Sequence, residues 1–79
     1  MLKQEQPLQD EFLIQAINLS IENGFASISM IQRKFVIGCF RASRLMDIMI
    51  ELGVLENDFA KHERKVLISS IDDVFPKTH

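Results

Sequence analysis

The chain has no tryptophan, no tyrosine, one cysteine, two prolines and three glycines among its 79 residues. With Cys39 alone, no internal disulfide forms, and the cytoplasm is the expected compartment. No apolar run approaches the length of a bilayer span, and no signal-peptide pattern opens the sequence. His62 and His79 lack a second ligand at metal-binding spacing. No Ser/His/Asp set, paired carboxylates or phosphate-binding glycine loop is present, so neither an enzyme nor a cofactor is expected. Repeats and low-complexity segments are absent as well.

What remains is an ordinary small globular composition, 47% hydrophobic with six phenylalanines. This length makes one domain that buries only roughly 60% of the surface its unfolded chain exposes. The net charge is −2, yet its distribution is uneven. Between Arg33 and Arg44 there are four bases and no acid, and from Lys61 to Lys65 three bases and one acid. Two basic islands on an acidic chain suit a phosphate-binding surface, with a solvated charged face as the plainer alternative.

The first island lies in Ser29 to Gly53, which reads as two helices joined by a turn. Ser29 is the expected N-cap, with Gln32 three residues on completing a capping box. That helix runs to about Phe35, with Met30, Ile31 and Phe35 turned to the core. Gly38 can supply a positive φ in the break. A second helix follows from about Phe40 to Leu52, stopped by Gly53. Short helix, glycine-bearing turn and longer helix form a helix-turn-helix pattern.

Upstream, Pro7 suits a first helical position, and Leu8, Phe12, Leu13, Ala16, Ile17 and Ser20 recur at helical spacing up to Asn23-Gly24. Phe25 to Ile28 is short but able to pair at a sheet edge. Val54-Leu55 and Lys65 to Ser69 read as strands flanking a polar loop, the wing of a winged-helix domain. Ser70 to Asp73 can cap one further helical turn before Phe75-Pro76, leaving Ile71, Val74 and Phe75 to cover apolar surface. The expected class is therefore α+β, mostly helical: a winged helix-turn-helix with three helices and a small β-wing. The expected divisions are a disordered segment 1–7, the domain 8–69 and a tail 70–79.

On the second helix, Ala42, Leu45, Met46 and Met49 form the stripe expected to be buried at about 100° per residue. Phe40, Arg44, Asp47 and Glu51 fall opposite, with Arg41 and Ser43 on the flanks. In a helix-turn-helix domain that outward face enters the major groove. Arg44 suits bidentate contact with guanine, and Asp47 suits a cytosine amine or the orientation of Arg44. A surface ion pair between these two is the competing reading. Arg33, Lys34, Arg41 and Ser43 suit backbone phosphates, and Lys61, Arg64 and Lys65 of the wing suit the flanking backbone. Ile48, Ile50 and Leu52 fall outside the core stripe. They are expected either beneath the tail or at a protein contact, including a homodimer through Ile48 and Leu52. Cys39 reads as a small packing residue, a reactive thiol being the remote alternative.

From Phe12 to Ile68 the residues resemble the gamma domain of the FtsK/SpoIIIE DNA translocases. The matching pieces are Ala26-Ser27-Ile28-Ser29, Gln32-Arg33, Ile37-Gly38, Arg41-Ala42, Arg44-Leu45, Gly53-Val54, Arg64 and Val66-Leu67, in order and without a gap. The resemblance implies a winged helix that reads short G-rich polar octamers in duplex DNA. Those octamers orient chromosome translocation in the family, whose domain also touches a Xer-type recombinase. The family's base-reading Asn, Arg and acidic positions fall on Phe40, Arg44 and Asp47. Cys39-Phe40 stands where the family has Tyr-Asn, Ala60 replaces the glycine at the wing tip, and His62 replaces a wing lysine. The rear of the helix carries Ile48, Ile50 and Leu52 in place of polar residues. No ATPase motor accompanies the module, so the chain reads either as an excised domain or as a small standalone protein.

The expectation is thus a non-enzymatic, cytoplasmic DNA-binding domain acting in chromosome partition or translocase orientation, with no membrane contact of its own. The alternative is a protein-interaction module or small transcriptional regulator on the same fold.

Overall fold

The computed structural model describes residues 10–58 and 60–75. The expected disordered segment 1–7, the helical positions Pro7 and Leu8, and the residues from Pro76 onward lie outside the described residues.

The first helix, α1, spans Leu13–Asn23. It begins later than the apolar spacing predicts because Asp10 turns the chain just before it. The Asp10 carboxylate accepts the Phe12 N–H at 2.9 Å, and the Asp10 carbonyl accepts the Leu13 N–H at 3.0 Å. This aspartate turn occupies the backbone groups that an earlier helix would need. Leu13, Ala16, Ile17 and Ser20 are buried along one stripe. Gly24 closes α1 at φ 83°, a left-handed value that glycine adopts without steric cost.

Strand β1, Phe25–Ala26, leads directly into helix α2, Ile28–Phe35. The residue capping α2 is Ser27, two positions before the predicted Ser29. Ser27 has extended backbone, and its hydroxyl accepts the Met30 N–H at 3.2 Å. A residue leaving a strand already has the extended geometry that an N-cap requires, so the helix starts there and Ser29 lies within its first turn. Ile31 is buried, with Met30 and Phe35 packed at the edge of the core.

The turn after α2 also departs from expectation. Val36, not Gly38, takes the left-handed conformation (φ 53°, ψ 55°), and its N–H reaches back to the Gln32 carbonyl. Gly38 is extended (φ −71°, ψ 166°) and serves as N-cap to helix α3, Cys39–Glu51. Leu52 ends α3, and Gly53 follows at φ 82°.

The wing is a hairpin folded onto β1. Strand β2, Arg64–Lys65, pairs antiparallel with β1 in the register Phe25 to Lys65 and Ala26 to Arg64. On its other side, Leu55 bridges Val66, and Leu67 donates to the Val54 carbonyl at 2.8 Å. A 3-10 turn, Ile71–Asp73, closes the described chain, with Ser70 and Asp73 forming the reciprocal capping box. It packs against α1, and Ile71, Val74 and Phe75 lie against the core. Three helices and a small antiparallel sheet in this order make a winged helix. No helix among the described residues is long and apolar enough to cross a membrane.

The α3 stripe holds as read, since Ala42, Leu45, Met46 and Met49 are all buried. Ile48 joins them at 6% exposure, and Ile50 and Leu52 pack against the core. The predicted surplus face is therefore largely taken up by the core, with Ile48 inside it and Ile50 and Leu52 at its edge. Both α1 and α2 pack against α3. A helix with neighbours on two sides buries an arc of roughly 160°, wider than the stripe of a helix on one core face.

Candidate nucleic-acid interface

On α3 the four outward residues Phe40, Arg44, Asp47 and Glu51 are all exposed, at intervals of three or four that keep them on one side. Phe40 sits in the first turn, 87% exposed. Arg44 lies one turn on, and no carboxylate among the described residues pairs with it. The i,i+3 ion pair with Asp47 does not form. Asp47 instead borders an open groove of about 520 Å³ between the start of α2, the face of α3 and the wing. Ser29, Gln32, Ser43, Lys61 and His62 share that groove. Ser29 and Gln32 were read from the sequence only as helix caps. Starting α2 at Ser27 turns both toward the same opening.

The cations divide into three kinds. Arg33 and Lys34 form the last turn of α2, where positive charge complements the helix dipole, and both are exposed without a carboxylate partner among the described residues. Lys65 is exposed too, its backbone N–H donating to Glu56 Oε2 at 3.0 Å. Lys61 is exposed but flanked by Glu56 at 3.7 Å and Asp58 at 3.8 Å. Surface pairs of this kind contribute little and exchange readily.

Arg41 and Arg64 are differently placed. Arg41 donates from Nε and Nη2 to the two Asp10 oxygens at 3.3 and 3.1 Å, with Glu11 3.5 Å away. Its guanidinium lies 4.6 Å from the Phe12 ring centroid, and Phe12 stacks on Phe35 at 4.8 Å. Partial burial pushes the Asp10 carboxyl upward. The Arg41 hydrogen bond, the Phe12 N–H and the charges of Arg41 and Arg44 outweigh it and hold the group below its ordinary value of 3.8. The same bond, against some desolvation, raises the Arg41 pKa. Arg41 is thus a clasp between the segment before α1 and the first turn of α3.

Arg64 is only 8% exposed, and its Nη1 donates to the Glu56 carbonyl at 3.4 Å. The sheet register explains this, because Arg64 stands opposite the buried Ala26 and shares its inward face. It supports the base of the wing rather than projecting from it. Cys39 is exposed as well, not a packing residue.

Arg33, Lys34 and Arg44, exposed and without an ion-pair partner among the described residues, lie on the helix-turn-helix in a stretch without an acidic residue. Such an arrangement presents a local positive potential to an anionic surface. Among the described residues no cluster of His, Cys, Asp or Glu could hold a metal ion.

The comparisons with known proteins agree with this architecture. The family model described as the FtsK gamma domain matches residues 8–69. The DNA translocase FtsK of Halalkalibacterium halodurans is 41% identical over 71 residues, covering 90% of this chain and 9% of that protein. Its counterpart in Clostridium tetani is 42% identical over 66 residues, covering 84% of this chain and 9% of that protein. The DNA translocase SpoIIIE of Bacillus subtilis is 43% identical over 60 residues, 76% of this chain and 8% of the relative. The chain therefore spans about a tenth of the length of the curated relatives it matches, and the match covers nearly the whole winged helix. By the match of the family model over most of its length, this chain belongs to the FtsK gamma domain family.

Proposed function

We propose that this domain binds duplex DNA, laying the N-terminal half of α3 in the major groove with the wing against the adjoining backbone. The observation that carries the reading is the acid-free run of exposed cations on α2 and α3, in a domain of a DNA-translocase family. Arg44, Asp47 and Phe40 face the bases. Arg33, Lys34 and Lys65 meet phosphates, and Ser43 lies at the groove margin. Lys61 joins them once DNA displaces its weak surface pairs. Arg41 and Arg64 act within the protein, holding α3 and the wing in place.

The relatives are named DNA translocases; in this reading the domain serves such a motor in chromosome partition, and recognition of short oriented DNA sites gives the motor its direction. Contact with a Xer-type recombinase would then fall on a surface other than the groove-facing side of α3. The protein-interaction alternative is weaker, because Ile48 is buried and Ile50 and Leu52 pack against the core.

Fluorescence anisotropy with labelled duplexes across a salt series tests this directly. About three to four neutralised phosphates give a slope of log K against log salt near −3. Arg33→Ala should weaken binding to all duplexes alike and flatten that slope by about 1. Arg44→Ala should cost about 1–3 kcal/mol on a preferred site and much less on random sequence. No measurable duplex affinity at low salt would overturn the proposal.

A further inference from the structure

Phe40 occupies the base-facing position at the start of α3, but its ring carries no hydrogen-bond donor or acceptor. It is 87% exposed, and Val36 in the preceding turn is 88% exposed. Both therefore stand outside the core, at the end of α3 that the major-groove reading sends deepest. Arg44 follows one helical turn later on the same face. The surroundings favour a polyanion as the occupant, since every charged residue from Arg33 to Arg44 is basic.

Within the major groove, each base pair shows a distinct set of donors and acceptors, and only thymine adds a methyl group. A phenyl ring gains nothing from the polar edges and loses their hydration on contact. Against the thymine C5-methyl it removes apolar surface from water on both partners.

We propose that Phe40 makes this domain selective for thymine at the base step next to the one read by Arg44, by packing its ring on the C5-methyl. The inference rests on the duplex-binding reading above and names the base chemistry of that same site. It makes the preferred DNA a site in which a thymine adjoins the guanine contacted by Arg44.

The test begins with a selection of random duplexes against the full chain. The enriched duplex is then resynthesised with deoxyuridine replacing each thymine in turn, which deletes only the methyl group. For the unmodified protein, one replacement should weaken binding about fourfold to tenfold, the scale of losing one buried methyl contact. For Phe40→Ala, checked for folding by circular dichroism, that ratio should fall to about 1. Phe40→Leu, which keeps apolar surface, should retain part of it. Tight duplex binding with no deoxyuridine effect at any position overturns this proposal alone, as does a ratio unchanged in Phe40→Ala. Binding without any enriched sequence also overturns it. Absence of duplex binding overturns it together with the reading on which it rests.

Discussion

Val36 shows how a single residue can be placed against its own preference. A β-branched side chain in the left-handed region is strained, and here it is almost fully exposed, so burial does not offset the strain. The geometry arises because the N–H groups of Val36 and Ile37 both turn back to the Gln32 carbonyl, closing α2. The glycine two residues later is left to begin α3 in extended form. Sequence alone assigned the positive φ to Gly38, because glycine is the residue that tolerates it best. It could not show that the turn comes earlier. Val36→Gly should therefore raise stability by about 1 kcal/mol, a rise in Tm of roughly 4–8 °C by calorimetry for a domain of this size. Gly24 and Gly53, by contrast, were legible as helix stops, since both end a clear apolar period and both carry positive φ. Ser27 and Ser29 could not be separated from sequence. Each is followed by a helix-compatible stretch, and only the pairing of β1 with β2 decides which one is extended.

At the level of elements, α3 was the most legible part of the chain and its surroundings the least. Its apolar period gave the buried stripe, while Ile48 required knowledge that α1 and α2 both press on it. Arg41 and Arg64 are the clearest cases of charge legible as residue type but not as placement: Arg64 is buried, and Arg41, with a side chain 41% exposed, is tied to Asp10. Arg64 faces inward through the strand register, and Arg41 meets Asp10 from 31 positions away, a distance that no local pattern reveals. This clasp has a pH signature. The Asp10 carboxyl is held below its ordinary value of 3.8, so the folded chain favours the charged form. The stability it contributes is complete above that value and disappears as pH falls through the depressed one. Asp10→Asn, which can still accept the Phe12 N–H, should be less stable than the parent at pH 7 and converge with it as pH falls through the depressed Asp10 value in denaturant titrations. If the clasp only organises the fold, that is the whole effect. If Arg41 when freed turns to DNA, the variant should also bind duplex more tightly and add up to about 1 to the salt slope.

For the molecule as a whole, net charge was the least informative quantity and charge placement the most. A chain of net −2 argues mildly against a polyanionic partner, yet its acids lie mainly before α2 and beyond the first turns of α3. The winged-helix order itself was legible, because each element is marked by a glycine, a serine cap or a change of hydrophobic period. The shortness of β1 and β2 was not, since two-residue strands carry too few side chains to show alternation. A domain this small has little stability to spare. Ile48→Ala should cost about 2–4 kcal/mol in chemical denaturation, as expected of a core position. Sedimentation should show no change in association state, because Ile48 belongs to the interior.

The Arg41 clasp also gives the molecule a direction of mechanical load. Asp10, Glu11 and Phe12 are fastened to the opening turn of α3 before the polypeptide enters α1. Tension arriving from the amino-terminal side would therefore be felt first by the helix whose outer face we assign to DNA, and only afterwards by the hydrophobic interior.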